Sequence, residues 1–169
     1  MKFYFLSLII ISFLTGCSSK SDQDYMNEAA ENAKQNKIPE AIAGYENLVR
    51  EYPGSKLAPE ALFQVGNLYQ NKMVKNLSDK ESMENSAKIF RQIYDKYPEY
   101  KKAAQSLFMS AFILANELAR YEEATEAYKL FLQKYPEHEW SFSAKSELEN
   151  MGLPPEVILQ KKQKLSSDG

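Results

Sequence analysis

The sequence has 169 residues with 23 Asp plus Glu against 21 Lys plus Arg, which is enough chain for one compact domain and too little charge asymmetry to track a phosphate backbone. Six glycines, together with abundant Ala, Glu, Lys and Leu and little Thr or Val, predict a mostly helical protein. One His and one Cys argue against a zinc cluster and leave no partner for a disulfide within the chain.

Residues 1–16 read as a signal peptide. Lys2 supplies a positive end, and Phe3 to Leu14 is an apolar run of twelve residues broken by two serines. That is short of the roughly 20 residues a bilayer-spanning helix needs. Leu14-Thr15-Gly16-Cys17 follows at once and resembles the bacterial lipobox. The resemblance implies a thioether-linked diacylglycerol on Cys17, cleavage before it and acylation of the new amino group. The other reading is an ordinary secretory signal with an incidental cysteine. Three acyl chains anchor a protein durably, whereas one, at about 0.8 kcal/mol per buried CH2, holds only marginally. Loss of Lys2 leaves 20 positive against 23 negative side chains, so the anchor is lipid rather than charge. Residues 17–24 form a short linker.

A repeat occupies residues 25–152. Ala41 and Tyr45, Ser86 and Phe90, and Ala124 and Tyr128 lie twelve and eight residues before Pro53, Pro98 and Pro136. A tyrosine (Tyr52, Tyr97 or Tyr135) precedes each of these prolines and closes an amphipathic run. Small residues recur five and eight positions after each proline: Ala58 and Ala61, Ala103 and Ser106, Ser141 and Ala144. This pattern resembles the tetratricopeptide repeat, with Leu62, Val65, Gly66 and Tyr69 on a first helix and Ala41, Tyr45 and Pro53 on a second. The resemblance implies an all-α helical solenoid of about three helix-turn-helix units and a C-terminal capping helix. Glu28 and Asn32 depart from apolar positions of the pattern.

The middle unit is longer. Leu62 to Pro98 spans 36 residues against 29 from Leu107 to Pro136. The excess falls at 72–82, where Ser78-x-x-Glu81 reads as a capping box that restarts the helix and lengthens it by about a turn. We read the insertion as a longer inter-helix loop, serving either a partner or no purpose beyond length variation. After Pro136, Ala144 and Leu148 keep the first-helix register while Lys145 and Glu149 turn polar, as a solvating cap requires. Gly152 fits a helix C′ position, and Leu153-Pro154-Pro155 breaks the helix before a tail over 153–169, with a last short helix over Val157–Leu165.

Chemistry is sparse. His138 is isolated in the third turn, and no nucleophile elbow, phosphate loop or dinucleotide fingerprint occurs. No catalytic residue, metal or cofactor is expected, and an envelope hydrolase is the remote alternative. By resemblance, the concave face would carry Met26 and Ala30, then Phe63, Asn67 and Gln70, then Phe108, Phe112 and Asn116. Aromatic rings flanked by amides suit an extended peptide or partner helix. The other reading packs Phe63, Phe108 and Phe112 between helices.

The motif Tyr-Pro-x-[Ser/His]-x2-[Ala/Ser]-x2-Ala, with Leu62 directly after Ala61, is similar to repeats of the BamD-type lipoproteins of the β-barrel assembly machinery, and to the Tol-Pal-associated periplasmic family. These resemblances imply a lipid-anchored scaffold in outer-membrane protein assembly, its repeats facing the periplasm, or alternatively an envelope-maintenance adaptor. Expected partners are envelope proteins or peptides and, through lipid, the membrane, with no nucleic acid.

Overall fold

The computed structural model describes residues 20–154, 156–160 and 163, all of them helical or connecting. Among the described residues, seven helices of ten residues or more follow one another: α1 (Asp22–Lys34), α2 (Ile38–Glu51), α3 (Ala58–Gln70), α4 (Asp79–Lys96), α5 (Ala103–Asn116), α6 (Tyr121–Lys134) and α7 (Ser141–Asn150). Extensive contacts join only consecutive helices, the signature of a solenoid. The expected signal peptide over 1–16, Cys17 and residues 18–19 lie outside the described residues, as do Lys161, Lys162, Lys164 and Leu165. Residues 156–160 are helical, at the start of the expected last helix.

The helix pairs α1–α2, α3–α4 and α5–α6 match the three units read from the sequence, and α7 follows as the cap. The first helix starts at Asp22 rather than Tyr25, because Ser21 and Asp24 form a reciprocal capping box. Tyr52, Tyr97 and Tyr135 end α2, α4 and α6 with almost the same backbone, φ −129, −131 and −131° with ψ 58, 59 and 55°. The proline that follows each disfavours helical φ/ψ at the tyrosine. Each of these tyrosine amides still donates to the carbonyl four residues back, on Leu48, Ile93 or Phe131.

Within each unit the first helix ends differently. Asn36, Lys72 and Ala119 adopt positive φ of 59, 54 and 52°, a left-handed turn that reverses the chain after α1, α3 and α5. The insertion divides between loop and helix. The loop 71–78 separates α3 from α4, and α4 runs 18 residues where α2 and α6 run 14. Ser78 and Glu81 form the expected capping box, with the Ser78 amide donating to the Glu81 carboxylate at 2.8 Å. At Gly152 the φ of +73° is one that glycine adopts without strain.

The core passes from unit to unit. Ala29, Ile42, Tyr45, Leu48 and Val65 form one cluster across α1, α2 and α3. Leu62, Phe63, Met83, Phe90, Ile93 and Ile113 form a second across α3, α4 and α5, and Leu107, Phe108, Tyr128, Phe131 and Ala144 a third across α5, α6 and α7. Close approach requires Gly66, where an added Cβ would stand 2.9 Å from Cε1 of Phe90. Buried serines tie neighbouring helices together: Ser86 Oγ donates to the Gly66 carbonyl and Ser110 Oγ to that of Ala87, both at 2.9 Å.

Candidate partner-binding site

The first helices of the three units supply the face on which binding was expected. Met26 and Ala30 are half-buried on α1, with Met26 packed against the first core cluster. Phe63 is 8% exposed and meets Phe90 edge-on at 5.5 Å, while the Lys102 ammonium sits 4.1 Å from its ring centroid. Phe108 is 9% exposed among Tyr128, Phe131 and Trp140, the last at 4.9 Å between centroids. These two phenylalanines therefore follow the packing alternative and offer a partner little more than their rims.

The accessible part of the face is narrower and more polar. Phe112 is half-buried and stacks on Phe108, centroids 6.5 Å apart and planes 17° apart. It joins Gln70, Lys72, Met83 and Glu117 around a recess of about 340 Å³ between the second and third units. Asn67 is half-buried, and its backbone carbonyl accepts from both the amide and the side chain of Asn71. Asn116 is exposed and donates to Glu147 of α7 at 3.1 Å, on the border of a separate recess that includes Asn150 and Ile158. Gln70 and Phe112 thus converge, Asn116 turns towards the cap, and Met26 and Ala30 line neither recess.

The polar position two residues after each proline has a local task. Ser55 Oγ accepts the Leu57 amide at 3.0 Å, and His138 Nδ1 accepts that of Trp140 at 3.1 Å. Both side chains cap the turn that leads into the next helix, and the His138 ring also packs against Phe131 and Trp140. In the middle turn Tyr100 holds the equivalent place and its phenol donates to the Glu60 carboxylate. Glu60 also accepts from Gln64 at 2.8 Å and from Lys102 at 3.1 Å. Burial pushes the Glu60 pKa up, but these hydrogen bonds outweigh it and hold the carboxyl below its ordinary value. Burial and then the Glu60 contact push the Tyr100 phenol well above its ordinary value. Sequence reasoning missed this bridge between the second and third units, because Glu60 and Lys102 stand 42 positions apart.

Among the described residues, no group of three or more His, Cys, Asp or Glu converges as a metal site would require, and no helix is long and apolar enough to cross a membrane.

The tetratricopeptide repeat family model matches residues 29–55 and 105–138, which cover α2 with the end of α1, and α5 with α6. The described residues form an all-helical solenoid in which two segments match tetratricopeptide repeats, and repeats of this kind generally mediate protein–protein interactions. The unmatched middle segment folds as the helix pair α3–α4, whose longer loop and extra helical turn depart from the family's period. No curated protein sequence matches the chain.

Proposed function

We propose that the protein is a lipid-anchored, non-enzymatic scaffold of the bacterial cell envelope, akin to the BamD-type lipoproteins that serve outer-membrane protein assembly. The observation that carries this reading is the Leu14-Thr15-Gly16-Cys17 motif, which puts the chain's single cysteine at the lipobox position, five residues before the first helix of a repeat solenoid. At about 3.3 to 3.6 Å per extended residue, such a linker keeps the repeats within about 20 Å of a bilayer. Ser18 after the cysteine is compatible with transfer to an outer membrane by the enterobacterial sorting rule. The partner would dock on the first-helix face around Gln70 and Phe112, where an amide and an aromatic ring stand side by side.

Crosslinking of the tagged lipoprotein in intact cells tests the assignment. Recovery of a barrel-assembly subunit supports it, and recovery of Tol-Pal or peptidoglycan-synthesis proteins moves the protein to envelope maintenance, the reading favoured by the similar Tol-Pal-associated repeats. Recovery of secretion or pilus components alone would defeat both. The anchor has its own test: Cys17→Ser should release the protein from membranes, and retention after signal cleavage would contradict lipidation.

A further inference from the structure

Away from the first-helix face, the first two Tyr-Pro turns enclose a groove of about 740 Å³. Its lining is mainly apolar carbon from Pro53, Pro59, Tyr97, Pro98 and Tyr100, and its rim carries Lys56, Lys96 and Lys101 against Glu99 alone. We propose that this groove is a second docking site and that it takes an extended acidic peptide segment bearing an apolar side chain.

Three observations carry the proposal. The first is pre-organisation: the Tyr97 hydroxyl donates to the Pro53 carbonyl at 3.1 Å, and the Tyr100 phenol is fixed by Glu60. The walls are therefore proline rings and tyrosines held in place, which lose little entropy when a ligand covers them. The second is charge. A chain of net charge −2 sets three exposed lysines beside this recess, and among the described residues none of the three forms an ion pair. The recess lined by Lys88, Arg91 and Arg120 differs, because Glu84, Glu123 and Glu126 share it and Arg120 is paired with Glu123. The rim of the Tyr-Pro groove, with three lysines to one glutamate, is net positive and complements carboxylates from a partner. The third is room: an added Cβ at Gly54 meets nothing within 4 Å, so the mouth of the groove is open there. A recess between two turns fits a peptide strand better than a flat lipid surface. The groove shares no lining residue with the recess around Gln70 and Phe112.

The test uses the full chain in neutral detergent and a fluorescent peptide with a central Phe-Pro pair flanked by glutamates. Two control peptides carry lysines for the glutamates or alanines for Phe-Pro. The acidic peptide should bind, and each control should bind at least about tenfold more weakly. Lys56→Glu with Lys101→Glu should weaken binding by at least about tenfold, as each variant places a carboxylate at the rim. Gly54→Trp should block the groove without altering the helical circular dichroism; if it unfolds the chain, the two surface lysine variants decide alone. Absence of binding, equal binding of the basic peptide, or indifference to the lysine variants overturns the proposal. Binding to phosphatidylglycerol vesicles, lost in the same variants while the peptide does not bind, overturns it in favour of a lipid surface. Self-association lost in those variants, without peptide binding, overturns it in favour of a second copy of the chain.

Discussion

At Glu60 a half-buried carboxylate joins two repeats through Tyr100 and Lys102, with Gln64 of its own helix as a third donor, and both ends of its ion pair are shielded, with side-chain exposures of 24% and 28%. Because the folded pKa lies below the unfolded value of roughly 4.3, its stabilisation is complete above that value and fades as pH falls through the folded one. Lys102→Met should therefore cost about 1 kcal/mol at neutral pH and distinctly less well below pH 4, read from urea unfolding at the two pH values. Tyr128 poses the opposite case. Its hydroxyl is buried without a hydrogen-bond partner among the described residues, and burial pushes its pKa well above the ordinary value. Tyr128→Phe should raise stability by about 1 kcal/mol, since it removes an unsatisfied polar group and keeps the ring against Phe108. Neither contact was legible in the sequence: each depends on residues far apart in the chain, whereas the turn roles of Ser55 and His138 follow from their shared place after proline.

Helix boundaries were more legible, since caps are local chemistry. The Ser78-x-x-Glu81 box was readable and stands where α4 starts. Ser78→Ala should cost about 1 kcal/mol and speed amide exchange over the first turn of α4, while the other helices keep their protection. The equivalent box at Ser21 was missed because its fourth residue is Asp24, a shorter variant of the same motif, and α1 consequently begins earlier than the hydrophobic pattern indicated. The left-handed turns after α1, α3 and α5 were also missed. Their residues are Asn36, Lys72 and Ala119, and only the asparagine carries a compositional signal for that conformation. Phe63 and Phe108 show a further limit. Helical spacing puts Phe108 and Phe112 on one side of α5, but Trp140, 32 positions beyond Phe108, packs against it and helps to cover it.

For the whole molecule, periodicity around Tyr-Pro predicted a solenoid, and the three overlapping core clusters show how adjacent units bury what one helix pair leaves exposed. Gly66 lies at the contact between α3 and α4, and Gly66→Ala should lower stability by about 1 to 3 kcal/mol, because the new methyl overlaps the Phe90 ring. Thermal unfolding of that variant, with Gly54→Ala as a control in open space, measures the effect. The expected binding face was legible only as a stripe of first-helix positions, of which Gln70 and Phe112 border one recess. A photo-crosslinking residue placed in intact cells at Gln70, at Phe112 or at the exposed Lys129 of α6 tests the scaffold reading most directly. The account predicts a discrete envelope-protein adduct from the first two positions and none from the third. Equal adducts from Lys129, or none from Gln70 and Phe112, would contradict it.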